Sequence, residues 1–248
     1  MDTAPIFNKI SGDYDRFNHL FSLSIDKRWR RGATRVASRI ARKMASSRGC
    51  QVSDIKVVDL ACGTGDLSIM LAKRGLTVTG LDISEGMLEK GREKVEKLWK
   101  GEFSRYPKPV LTLGDGADMR FEDGSVDIIT IAYGIRNFDD RPSSLREIMR
   151  VLSPGGALLI LEFGEPKNAL FRLVYKPYFR HIMPGMASAL TLGKDAAAYR
   201  YFISSVEKFP KFERFCKELS QAGFQFVGHK CQTGGISVLY RAFKPVGK

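Results

Sequence analysis

Apolar positions along the chain switch repeatedly between short continuous runs and helical spacing. "KVVDL" (56–60) predicts a buried strand, and "GDLSIMLAKRG" (65–75) predicts a helix closed by Gly75. "TVTGLD" (77–82) is a second strand, followed by the helix "SEGMLEKGREKVEKLW" (84–99) with Ser84 as its cap. "PVLTL" (109–113) and "VDIITIAY" (126–133) are strands three and four. "RPSSLREIMRVL" is a helix ended by the "SPGG" turn, and "ALLILEF" (157–163) is strand five. Strands separated by helices of this length imply a parallel, doubly wound sheet. The pattern then breaks. Residues 164–208 form an aromatic, Pro-punctuated, helix-leaning insertion. "PKFERFCKELSQAGF" is a helix, and "QFVGHKCQ" and "ISVLYRAFK", joined through "TGG", read as an antiparallel β-hairpin. Residues 1–48 read as two helices ending at "SSRG", a helical lid ahead of a Rossmann-like domain over 49–248.

At 248 residues and 44% hydrophobic, the chain can bury a sizeable core in one α/β domain with appendages. No run approaches the roughly 18 apolar residues of a membrane-spanning helix, and "MDTAPIFNKISGDYD" has neither signal-peptide nor transit-peptide character. A cytoplasmic location, peripheral at the inner face of the membrane, is the expectation. Cys50, Cys62, Cys216 and Cys231 include no C-x-x-C pair and no accompanying His cluster, which argues against a disulfide framework or a zinc site. Cys62 reads as a small space-filling residue of the glycine turn. The excess of 40 Lys and Arg over 27 Asp and Glu, a net charge of +13, favours an anionic partner. Its densest cluster is "DKRWRRGATRVASRIARK" (26–43). There Trp29, Val36 and Ile40 fall at helical spacing among basic residues, either as a core contact beneath a solvated face or as an anionic-membrane surface. Self-association is left open, with a homodimer as one arrangement.

The chemistry concentrates where the first strand meets its turn, "VVDLACGTGDLS" (57–68). In an open α/β sheet a ligand sits beyond the carboxyl ends of the strands. Gly63 and Gly65 let the backbone turn sharply and approach a ligand closely. A dinucleotide fingerprint would want glycine at 68, where this chain has Ser68. Asp59 and Asp66 sit poorly beside a pyrophosphate and better beside a cationic ligand carrying an amino acid. Asp59 has a second reading, as an orderer of the turn through hydrogen bonds. Asp82 ends strand two, placed to accept both hydroxyls of a ribose, and Asp115 ends strand three, placed to bond an adenine amino group. A glycine turn with acids at the ends of strands two and three points to S-adenosylmethionine. The expected fold is therefore the class I S-adenosylmethionine-dependent methyltransferase type: a mostly parallel Rossmann-like sheet with a C-terminal antiparallel hairpin, a helical N-terminal lid and a helical insertion.

"FNKISGDYDRFNHLFSLSIDKRWRR", "DLACGTGDLS", "LDISEGML", "YGIRNFDD", "VLSPGGALLILEF" and "AYRYFISSVEKFP" together resemble the ubiquinone/menaquinone biosynthesis C-methyltransferases, from Phe7 to the final strand. The glycine motif is shared by most class I methyltransferases; "Y-D-x-x-N-x-x-x-S" near the N-terminus together with "G-I-R-N" after strand four is far more specific. The resemblance implies methyl transfer to a ring carbon of a prenylated quinol, demethylmenaquinol or the methoxy-benzoquinol precursor of ubiquinone. It implies cofactor contacts at Thr64, Asp82 and the Asp115–Gly116 pair. Some members have Asn-Ala at that pair and Ser where this chain has Ala132. A phenol titrates near 10, so such a site should stabilise a phenolate. Arg136 is expected to do so directly or through water, since arginine stays protonated and is a poor direct base; its competing role is a pair with Asp139 or Asp140. Asn137 would orient substrate or water, and Tyr14 would close over the ring. The insertion, with Phe171, Tyr175, Tyr178, Phe179, Ile182 and Met183, would help roof the site and receive the prenyl tail, with Tyr199 or Tyr201 lining the same cavity. No "[DNS]-P-P-[YFW]" motif of nucleic-acid base methylation follows strand four, so no nucleic-acid partner is expected. Of His19, His181 and His229, only His181 was worth weighing as a base.

Overall fold

The computed structural model describes residues 25–182 and 196–247. Helix α1 (Ile25–Arg48) precedes β1 (Lys56–Leu60), α2 (Asp66–Ala72), β2 (Thr77–Asp82), α3 (Glu85–Trp99), β3 (Val110–Leu113) and β4 (Val126–Ala132). Then follow α4 (Arg141–Val151), β5 (Leu152–Phe163), α5 (Ala169–Pro177), α6 (Ala196–Lys208), α7 (Glu213–Gln221), β6 (Gln225–Gln232) and β7 (Ser237–Phe243). Seven strands form one sheet in the order β3-β2-β1-β4-β5-β7-β6. β1 to β5 are parallel, and β7 runs antiparallel between β5 and β6, as the hairpin pattern implies.

Alternation along the central strands divides the core in two. Ile129 and Ile131 of β4, with Leu158 and Ile160 of β5, pack beneath α4 and α7. Ile128, Ala157 and Leu159 face the opposite layer of α1, α2 and α3. Both faces of these parallel strands are covered, so they carry near-continuous apolar sequence. Ser84 caps α3 by accepting from the Met87 N–H at 3.3 Å, and Asp140 caps α4 by accepting from the Ser143 N–H at 3.0 Å.

One expectation is corrected. "SPGG" does not separate α4 from the strand: β5 begins at Leu152, and the turn is an excursion within it between the Val126–Leu152 and Ile128–Ala157 pairings. α1 lies against the sheet. Its seam of Trp29, Ala33, Ala37, Ala41 and Ala45 is buried, because small residues at four-residue spacing let the helix lie close on the strands. Val36 and Ile40 are only partly buried beside it, while Arg28, Arg31, Arg35, Arg39, Arg42 and Lys43 form the exposed ridge. Residues 1–24, which hold the other expected helix, lie outside the described residues, as does Tyr14.

Candidate active site

At the carboxyl ends of β1, β2, β3 and β4 lies a cavity of about 420 Å³. Its walls include Gly63, Asp82, Asp115, Gly116, Ala132, Tyr133 and Asn137. Two residues that are not glycine take left-handed backbone there, Ala61 (φ 55°) and Tyr133 (φ 61°), at the ends of adjacent strands β1 and β4. Such conformations cost about 1–3 kcal/mol each and persist where the surroundings over-determine them. The two turns touch: a Cβ on Gly134 would sit 2.5 Å from the Ala61 Cβ.

The glycine turn is held from two sides. The Asp82 carboxylate accepts from the Gly63 N–H (2.7 Å) and the Ser84 N–H (2.9 Å), tying the ends of β1 and β2 together. Burial raises its pKa against those bonds. Gly63 has φ +56°, and a Cβ there would meet nothing within 4 Å, so its open side faces the cavity. Gly65 does not line the cavity. With φ +78° it caps α2, and a Cβ would meet Leu111 Cδ1 at 2.9 Å. Thr64 is buried on the far side of the turn, where Lys94 Nζ donates to its Oγ1 (2.9 Å) and to Asp66 (3.1 Å). Asp115 accepts from the Ala117 N–H at 2.9 Å, which turns the β3 loop inward, and Gly116 is closed in by Phe138 and Leu60. Burial also raises the Cys62 thiol well above its usual value, in keeping with a space-filling role.

Asp59 lies beneath the turn, outside the cavity lining. It accepts from Ser68 Oγ (2.6 Å) and Thr130 Oγ1 (2.8 Å), linking α2 to β4. Burial pushes its pKa up to about 6 against those hydrogen bonds and the Arg30 charge. A raised acid binds more protons folded than unfolded between about pH 4 and pH 6, so its contribution is fully present below that window and lost as pH rises through it. The rise from 3.8 to about 6 corresponds to about 3 kcal/mol. Asp59→Asn is expected to remove that fall, since its amide can donate to a reoriented Ser68 hydroxyl. Urea unfolding at about pH 4 and about pH 7 checks this: wild type loses stability between them from this group and the variant does not.

Arg136 does not line the cavity and pairs with neither Asp139 nor Asp140. Its side chain is buried, with Nη1 donating to Glu162 Oε1 at 2.9 Å and to the Tyr133 carbonyl, and Nε donating to Ser205 Oγ at 3.3 Å. The guanidinium lies 5.4 Å from the Phe163 ring centre and 5.2 Å from that of Phe202. Glu162, absent from the sequence-derived site, is fully buried at the end of β5, and its Oε2 has no hydrogen-bond partner among the described residues. Desolvation raises its pKa against the Arg136 charge. The signal for it was a single acid in the apolar run "ALLILEF", which must find a cation if it is buried. Asn137 does face the cavity, and its Oδ1 accepts from Tyr201 Oη at 3.3 Å. His229 lies away from this site, on edge strand β6, with Cys216 and Glu213 for neighbours.

The model of the ubiE/COQ5 methyltransferase family matches residues 2–244. The ubiquinone/menaquinone biosynthesis C-methyltransferase UbiE of Syntrophotalea carbinolica is 39% identical over 241 residues, covering 96% of this chain and 92% of that one. The demethylmenaquinone methyltransferase of Chlorobaculum tepidum is 37% identical over 240 residues, covering 96% and 90%. Among solved structures, phosphoethanolamine N-methyltransferase 2 of Haemonchus contortus, in complex with S-adenosyl-L-methionine, superposes with a TM-score of 0.55 at 16% identity. That likeness covers 78% of this chain and 49% of the other, about half its length, and concerns the fold alone. The family match spans nearly the whole sequence: the chain belongs to the ubiE/COQ5 methyltransferase family and is an S-adenosylmethionine-dependent C-methyltransferase.

Proposed function

We propose that this chain methylates a ring carbon of a prenylated quinol, with demethylmenaquinol as the acceptor and menaquinol as the product. The observation that carries the reading is the make-up of one cavity lining. Gly63, Asp82, Asp115 and Gly116 share it with Asn137 and Phe138, and Gly116 lies against the Phe138 ring. Its acids and glycines fit S-adenosylmethionine. Asp82 offers a carboxylate to ribose hydroxyls, Asp115 an acceptor to the adenine amino group, and Gly63 an open side for close approach. Thr64, Gly65 and Asp59 serve the same ligand by shaping the turn. When bound, S-adenosylmethionine supplies a methyl group activated on a sulfonium.

Phe138 and Asn137, beside those acids and glycines, fit a flat ring held in line with that methyl. Fixing this alignment is the largest contribution available to the protein, on the order of 7–11 kcal/mol. The ring carbon becomes nucleophilic when the quinol loses a proton, so the site must favour the phenolate. Tyr201 occupies Asn137 Oδ1, which leaves the Asn137 amide N–H groups for a ring oxygen. Arg136 acts from behind the wall. It holds the Tyr133 carbonyl and so fixes the turn that presents Asn137. Tyr14, outside the described residues, is assigned to the lid over the ring.

Quinone profiling by mass spectrometry of a deletion strain tests the acceptor. Accumulated demethylmenaquinone, reversed by the wild-type gene, is the expected result. A demethylated benzoquinone intermediate in its place would move the acceptor to the ubiquinone precursor. Unchanged quinones would overturn the reading.

A further inference from the structure

The geometry points to α5 as a bilayer-docking helix that delivers the prenylated acceptor from an anionic membrane to the cavity. This rests on the reading of the acceptor as a prenylated quinol.

No residue of α5 is buried. Leu170, Leu173 and Val174 are 74%, 71% and 67% exposed, and their spacing sets them on one face of the helix with Pro177. Isolated exposed leucines are ordinary, but three large apolar side chains on one short helix face form a contact surface. Lys176 is exposed beside that face, and Arg180 follows it on the next turn, exposed and paired with Glu207. From Gly164 to Ile182 the sequence holds four Lys and Arg (Lys167, Arg172, Lys176, Arg180) against one acid, Glu165. An apolar face rimmed by cations fits a surface of hydrocarbon beneath anionic headgroups.

A second observation gives the face a direction. From its inner flank, aromatic rings run without a break to the cavity wall. Phe171 lies 6.2 Å from Tyr175, Tyr175 stacks on Phe179 at 5.6 Å, and Phe179 lies 6.0 Å from Phe202. Phe202 meets Phe163 edge-on at 5.4 Å, and Phe163 lies 4.5 Å from Tyr133, which lines the cavity. A docked protein would need the outer face alone. The rings touch one another, so they form one packed apolar seam from that face to the cavity wall, a surface along which a prenyl tail entering from a membrane would pack. α5 also starts soon after β5 ends, so the docking face and the site share one edge of the sheet.

The test uses the full chain, vesicles of phosphatidylcholine with and without phosphatidylglycerol, and the variants Leu173→Asp and Val174→Asp. Both side chains are exposed, so folding is expected to be intact. Wild type is expected to co-sediment with the phosphatidylglycerol vesicles, and each variant to bind at least about tenfold more weakly. Turnover of a demethylnaphthoquinol without a prenyl tail, dissolved in buffer, is expected to match wild type, while turnover of long-tailed demethylmenaquinol embedded in the vesicles falls in step with binding. Vesicle binding by the variants equal to wild type would overturn the proposal. So would unchanged vesicle binding with a loss of dimer in sedimentation velocity, which would assign the face to a second copy of the chain. An equal loss on both substrates would mean that α5 shapes the site instead. Failure of wild type on every quinol, with vesicle binding still lost in the variants, would count against the acceptor and leave the docking surface standing.

Discussion

Asp82→Ala is expected to weaken S-adenosylmethionine binding by about 3–4 kcal/mol, or roughly 10²–10³-fold in affinity. A carboxylate accepting two ribose hydroxyls makes two hydrogen bonds to a charged group, each contributing about 1.5–3 kcal/mol. The same carboxylate already accepts from the Gly63 and Ser84 N–H groups, so its removal also loosens the turn that presents Gly63. The two effects separate by experiment. Unfolding of the ligand-free protein reports the loss of the turn, and calorimetric titration with S-adenosylhomocysteine reports binding by the folded fraction. Asn at the same position keeps the shape but offers one acceptor oxygen, so it is expected to fall between wild type and Ala on both scales. Burial raises the Asp82 pKa, so affinity is expected to fall as pH drops through that raised value, where the protonated acid becomes a poorer acceptor. Asp59→Asn is the contrast: its partners are Ser68 and Thr130, and binding is expected to be essentially unchanged. Wild-type affinity in Asp82→Ala would remove Asp82 from the cofactor site.

Much of this arrangement could be read from the chain. A parallel sheet places all its carboxyl ends on one edge, so the residues ending "VVDL", "TVTGLD" and "LTLGD" had to converge once those strands were recognised. Gly63, Asp82, Asp115 and Asn137 duly share one cavity. What local pattern could not show was direction. Asp59 and Thr64 stand within five residues of Gly63, yet one points below the turn and the other behind it. The left-handed backbone of Ala61 and Tyr133 carries no glycine or asparagine to announce it, because contacts across β1 and β4 impose it. In α1, Trp29, Val36 and Ile40 make the core contact that their spacing implies, but the most buried positions beside Trp29 go to smaller residues. Val36 and Ile40 are more hydrophobic than alanine, but close packing on a sheet selects small side chains, and Ala33, Ala37 and Ala41 take the buried positions. Arg136 stands out in "GIRN", but its partner lies 26 residues away on β5 and shows only in three dimensions.

That partner makes the Arg136–Glu162 pair the strongest test of how the cavity wall around Asn137 is built. Both side chains are almost wholly removed from water, so the loss of either leaves an uncompensated charge. Glu162→Ala is expected to destabilise the fold by about 3–5 kcal/mol, and Arg136→Ala by a similar amount. Glu162 Oε2 has no partner among the described residues, and desolvation is the largest influence on its protonation. Replacing both residues with apolar ones of similar volume, Arg136→Met with Glu162→Leu, is therefore expected to recover most of the lost stability, because neither charge then needs a partner. Activity is expected to stay low in that double variant. The Tyr133 carbonyl loses its donor and the turn carrying Asn137 loses its anchor. Urea unfolding of wild type, both single variants and the double variant gives the coupling energy, and methyl-transfer assays on the same four proteins give the functional half. A double variant both stable and fully active would reduce the pair to packing. One that is stable and inactive would mean that the fold tolerates an apolar pair there and that the ion pair is kept for the quinol ring.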